Sequence, residues 1–180
     1  MEGFNVVLGT LLGFLLGLVG SEVRTSWQRS RRGMEVAKLL KAEVAANREK
    51  LVETLDSHKQ AADKEAWALT SPFRHEVFRS CVADLPLLGD DALVAIQSLY
   101  AGLAHLEQVP RDALLTLSQL YTVFRAGKKD QEDAERQERH LKQSIHAWVL
   151  EREDEALQAA DKAIASLEKV IAQHKRWWQR

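Results

Sequence analysis

The chain has 180 residues, with 25 Lys and Arg against 26 Asp and Glu, for a formal net charge of −1. That balance gives no general attraction to a polyanion, so nucleic acid is not an expected partner. With 46% hydrophobic and 28% charged residues and 3 prolines, the composition suits a folded, helix-rich chain and argues against a disordered tail. A single cysteine, Cys81, excludes an internal disulfide and suits a reducing compartment.

The first predicted element is Gly3 to Gly20, GFNVVLGTLLGFLLGLVG, 18 residues without a charge. As a helix it would be about 27 Å long, close to the thickness of a bilayer's hydrocarbon core. A transmembrane helix is therefore expected over 3–20. Gly9, Gly13 and Gly17 recur every four residues within it, and Asn5 continues the row by one turn. Such a face lets a second helix approach closely, with a carboxamide available to hydrogen-bond across the pair. A removable signal peptide is the competing reading of this segment. It fits poorly, because no basic side chain precedes the apolar run, although Val19-Gly20-Ser21 is similar to a small-residue cleavage site.

A basic juxtamembrane segment follows over 21–33, with Arg24, Arg29, Arg31 and Arg32 around Trp27. Basic flanks stay in the cytosol and an indole ring favours the headgroup layer. The expected arrangement is a single pass through the inner, cytoplasmic membrane, with the N-terminus outside and a cytosolic helical domain over 34–180.

Within that domain, Ser21 to Leu69 reads as one long helix with a weak point at Ser30 to Gly33. Its apolar stripe is Leu40, Val44, Leu51 and Leu55, with Asn47 between as a register-setting or partner-satisfied polar residue. Residues 71–127 read as three short distal helices. Ser71 caps the first and Pro72 opens it, and its stripe of Phe73, Val77, Phe78, Cys81, Val82 and Leu85 makes Cys81 inert core. Pro86 and Gly89 stop that helix. Asp90 can cap the second, whose stripe is Leu93, Ile96, Tyr100, Leu103 and Leu106, ending at Val109-Pro110. The third carries Leu114, Leu117, Leu120, Tyr121 and Phe124 to Gly127, and the tyrosine hydroxyls are expected to reach outward.

The returning helix over 130–180 begins with DQEDAERQERHLK, charged nearly all round and expected to be solvated. Further on, Leu157, Ala160, Ile164, Leu167, Ile171, His174 and Trp178 alternate three and four apart as a coiled-coil seam. Ser21–Leu69 and Asp130–Trp178 are 49 residues each, which favours a long antiparallel helix pair. That pairing would return Lys175, Arg176, Trp177 and Trp178 to the level of Trp27. Two readings of these residues stay open: a membrane-interface ending, or tryptophans that finish the seam.

Signatures of chemistry are missing. His75-Glu76 is followed by Arg79 where a zinc helix needs its second histidine, and there is no phosphate loop, Gly-x-Gly-x-x-Gly or Cys-x-x-Cys. The 6 histidines are scattered with no carboxylate that converges on them in sequence. No catalytic, cofactor-binding or metal-binding residue is expected.

A glycine-rich apolar start, an arginine cluster with a tryptophan, and the helix LLKAEVAANREKLVETL resemble many uncharacterised bacterial membrane-anchored helical proteins. That class carries no common activity. The chain also looks superficially like the peripheral-stalk b subunit of rotary ATP synthases, but its prolines and the compact region from Ser71 to Gly127 depart from an unbroken rod. The sequence thus predicts an all-α fold and a non-enzymatic, membrane-anchored interaction or scaffold protein. Its expected partners are the lipid bilayer and either a second copy or another membrane helix. A sensory or regulatory transmembrane bundle and a stalk-like subunit are the alternatives.

Overall fold

The computed structural model describes the backbone of residues 2–60, 72–126 and 131–178, and side chains mainly over 20–60, 72–109 and 133–174. Four α-helices and one 3-10 segment account for nearly all of it: α1 (Glu2–Gln60), α2 (Glu76–Ser80), the 3-10 segment (Val82–Leu88), α3 (Asp90–Ala126) and α4 (Gln131–Trp178). The expected ends at Leu69, Ser71, Gly127 and Asp130 lie outside the described residues.

α1 and α4 form the predicted long antiparallel pair. Contacts step in opposite directions along the two helices: Ser30 Oγ lies 2.7 Å from His174 Nδ1, Lys41 pairs with Glu168 at 2.6 Å, Arg48 with Asp161 at 2.6 Å, and His58 with Glu153 at 2.8 Å. Residues 72–88 then run back down α1, with Arg74 beside Asn47, Val77 and Phe78 beside Glu43, and Leu87 against Gly33. Gly89, at φ 82, reverses the chain into α3. α3 rises in the same sense as α1 and antiparallel to α4. The result is an up-down-up-down bundle whose second arm is mostly irregular.

The core follows the sequence stripes closely on α1 and α3. Leu40, Val44, Asn47, Leu51 and Leu55 are buried, as are Ile96, Tyr100, Leu103 and Leu106. On α4 the buried row is Val149, Glu153, Ala156, Ala160, Ala163, Leu167 and Val170, which keeps Ala160 and Leu167 of the expected seam and rotates its other positions back by one, from Leu157, Ile164 and Ile171 to Ala156, Ala163 and Val170. Leu157, Ile164 and Ile171 flank it as partly buried residues. The rotation has a steric cause: α4 packs against α1 and α3 at once, and the alanine row lets both approach closely, whereas the bulkier row fills the sides.

Three expectations are corrected. α1 passes through Ser30–Gly33 without a break. Gly33 is a close-approach site, because a Cβ there would sit 3.1 Å from the Leu87 carbonyl oxygen. The single helix expected over Phe73–Leu85 is instead the short α2 followed by the 3-10 segment, which accommodates Pro86. α3 does not stop at Val109-Pro110 but continues to Ala126. A proline inside a helix costs about 3 kcal/mol through its lost hydrogen bond and ring clash. Packing in the turn before it, by Leu106 in the main core and by Val109 in the cluster of Ile145, Trp148 and Val149, opposes that cost.

Among the described residues, no helix is long and apolar enough to cross a membrane. The run 3–20 is the first part of α1 by its backbone, but the surroundings of Asn5, Gly9 and Gly13 lie outside the described residues.

Leu103→Ala in the full chain should lower the unfolding free energy by about 2–5 kcal/mol, because Leu103 is fully buried. Leu39→Ala, on a residue 55% exposed, should change it by less than about 0.5 kcal/mol. Denaturant melts followed by circular dichroism check both values.

Candidate functional site

The chain's polar interior is concentrated where the irregular second arm crosses α1. A buried segment without helical hydrogen bonds leaves backbone donors and acceptors that must find partners. Side chains of the flanking helices supply them. Asn47 accepts from the Arg74 amide and donates to the Arg74 carbonyl, both at 2.8 Å. Glu107 accepts from the Phe73 amide at 2.6 Å, and Lys50 donates to the Pro72 carbonyl. The Glu43 carboxylate accepts from the Val77 amide at 2.7 Å and the Phe78 amide at 3.0 Å. It thereby caps α2, whose preceding residue His75 makes no side-chain cap of its own.

Tyr100 completes this layer from α3. Its hydroxyl donates to Glu43, and its ring stacks on Phe78 at 4.0 Å. The outward-reaching hydroxyl expected from sequence is therefore corrected for Tyr100, because the carboxylate inside needs a further donor. Tyr121 lies outside the described side chains. Burial first, and then the adjacent carboxylate, push the Tyr100 phenol well above its ordinary value. Desolvation lowers the Lys50 ammonium below its ordinary value.

Two histidines meet carboxylates, contrary to their scatter in sequence. His58 Nδ1 lies 2.8 Å from Glu153, with both side chains buried, and His75 Nε2 lies 3.2 Å from Glu107. Both pairings join elements far apart in the chain. Among the described residues no group of three or more His, Cys, Asp or Glu side chains could hold a metal ion. Cys81 is free and buried in the apolar core.

The basic segment divides into two sets. Arg32 forms a fork-like pair with Asp84, with both nitrogen-oxygen distances 2.8 Å, and so ties α1 to the 3-10 segment. Arg31 pairs with Glu35 at 3.1 Å and lies over the Trp27 ring at 5.9 Å. Arg24 and Arg29 are exposed, and Trp27 is 42% exposed. The Ser30–His174 contact puts the end of α4 alongside this segment. The backbone of Trp177 and Trp178 continues α4 on that register toward Trp27, while the side chains of Lys175, Arg176, Trp177 and Trp178 lie outside the described residues. Gly17 is described and exposed, and a Cβ built on it would meet nothing within 4 Å.

Glu43, Lys50 and Glu107 are the residues of this layer that the sequence does not single out, whereas Tyr100 is legible on its stripe but its hydroxyl's inward partner is not. Glu43 falls three residues after Leu40 on the buried face, and a carboxylate at such a position signals a buried polar anchor. His58, three residues after Leu55, continues the same stripe. Comparison with protein-family models, with curated proteins and with solved structures finds no match.

Tyr100→Phe removes the hydroxyl from Glu43 and should cost about 1.5–3 kcal/mol at neutral pH, the usual range for a hydrogen bond to a charged group. The native Tyr100 is held neutral, so its contribution is fully present below the unfolded-state value of about 10 and is lost as pH rises above it. Stability of the native protein should therefore fall more steeply above about pH 10 than that of the Phe variant. Denaturant titrations at stepped alkaline pH measure the difference.

Proposed function

We propose that this chain is a non-enzymatic, membrane-anchored helical scaffold, held in the inner membrane by residues 3–20 with its bundle on the cytoplasmic side. One observation carries the reading: the uncharged apolar run is the start of the same unbroken helix that builds the bundle, and α4 returns antiparallel to its basic flank. On that register Trp178 lies level with about residue 26, some six residues beyond Gly20. At 1.5 Å per residue this is about 9 Å from the end of the apolar run, within the depth of a headgroup layer. Arg24, Trp27, Arg29, Lys175, Arg176, Trp177 and Trp178 would then form one collar of cationic and indole side chains, suited to anionic headgroups.

The glycine row of Gly9, Gly13 and Gly17 with Asn5 gives the span a face for a second copy or another membrane helix. The polar interior supports a structural role. Glu43, Asn47 and Glu107 spend their hydrogen bonds on the backbone of the second arm and Tyr100 spends its own on Glu43, so the layer fixes shape.

Single-tryptophan variants of the full chain, reconstituted into vesicles that contain brominated lipid, test this reading. Variants that keep Trp27 or Trp178 should be quenched. One that keeps Trp148, about 45 Å along α4 from Trp178, should not be. Equal absence of quenching at 27, 148 and 178 would contradict the reading.

A further inference from the structure

α3 and α4 leave an open groove on the side away from α1, a cavity of about 740 Å³. Its floor is made of small side chains such as Ala95, Ala159 and Ser166, and its α3 rim carries Val94, which is 60% exposed. At the lower end Asp90 and Asp91 stand on α3 and Lys169 stands across from them on α4. Nothing joins the two rims: these three side chains have no ion-pair partner among the described residues.

A groove with acids on one rim and a base at the same height on the other is complementary to itself under a two-fold axis that runs along the bundle. Rotation by that axis lays α3 of one copy against α4 of the other, at unchanged height. Asp90 and Asp91 of each copy then meet Lys169 of the other, and each Val94 enters the small-residue floor opposite. An axis across the bundle would instead bring the lower end of one groove to the upper end of the other and lose this match. The parallel arrangement is also the one that two chains anchored in the same membrane must adopt.

We infer that a second copy of this chain docks in parallel across the α3–α4 groove, with Asp90 and Asp91 of each copy paired to Lys169 of the other. The parallel sense rests on the membrane-anchored reading, whereas the complementarity rests on the groove alone. This contact is separate from the glycine face of the span and would act together with it. Two linked contacts raise the overall affinity beyond that of either.

The test uses the full chain in detergent micelles, with the dimer dissociation constant measured by sedimentation and membrane attachment assayed separately by flotation of the same variants with vesicles. Lys169→Glu alone and Asp90→Lys with Asp91→Lys should each weaken the dimer about tenfold or more, because like charges then face each other. Combining all three reversals should restore the native value to within about threefold. The triple replacement of Gly9, Gly13 and Gly17 by Leu should leave the charge-reversal pattern in place. A monomeric native chain, or reversals without effect on dimerisation, would overturn the inference whether or not the chain floats with vesicles. Failure to float would overturn the membrane reading instead, and a charge-dependent dimer would still stand.

Discussion

The fold depends on how the backbone of its second arm is satisfied. In a bundle of four regular helices each arm closes its own hydrogen bonds, and side chains need only pack. Here the arm over 72–88 is a short non-helical piece, a five-residue helix and a 3-10 segment that contains Pro86, so much of its backbone has no internal partner. The arm is nonetheless pressed against α1 and α3, with Phe73, Cys81, Leu85 and Leu88 in the core. Burial without partners would cost about 1–3 kcal/mol for each orphaned group. Glu43, Asn47 and Glu107 remove that cost at four backbone positions, Phe73, Arg74, Val77 and Phe78, and Lys50 holds the exposed Pro72 carbonyl beside them. The irregular arm is therefore read by specific side chains, which fixes its height on α1 as a regular helix with a simple apolar stripe would not.

That fixed height sets the rest of the geometry. Gly33 meets Leu87 at the bottom of the arm and Arg32 reaches Asp84 beside it, so the bundle begins about thirteen residues after the end of the apolar run. At 1.5 Å per residue this interval is about 20 Å of α1. α4 overlaps it from the other direction through His174 at Ser30. The basic segment is thus divided between a surface tie from α1 to the 3-10 segment, by Arg32, and exposed charge at the base of the bundle, at Arg24 and Arg29.

Much of this was legible in the sequence, because α1 and α3 carry amphipathic periods long enough to fix their buried faces, and equal expected helix lengths favoured the antiparallel pair. The errors have separate physical origins. Pro110 reads locally as a break, yet tertiary packing around Val109 and Leu106 outweighs a local penalty that the sequence shows in full. The α4 seam was placed on the larger residues because size usually marks a core. The observed core keeps Ala160 and Leu167 of that seam but takes Ala156 and Ala163 in place of Leu157 and Ile164, because one helix serves two neighbours. The Glu43–Tyr100 contact spans 57 positions and no local pattern encodes it. The same holds for His58 with Glu153, whose separation of 95 positions made the histidines look solitary.

The central claim is that side chains of α1 and α3 hold the backbone of the second arm. Amide hydrogen exchange in the full chain tests it most directly, at Phe73, Arg74, Val77 and Phe78, which lie outside or at the first turn of any helix. Such amides ordinarily exchange fast, because the first turn of a helix has no internal acceptors. If Glu107, Asn47 and Glu43 hold them as described, these four amides should be protected nearly as well as those in the centre of α3, and Glu43→Ala should release Val77 and Phe78 while leaving Arg74 protected. Exchange at the rate of an unstructured peptide at all four positions in the native protein would contradict the account.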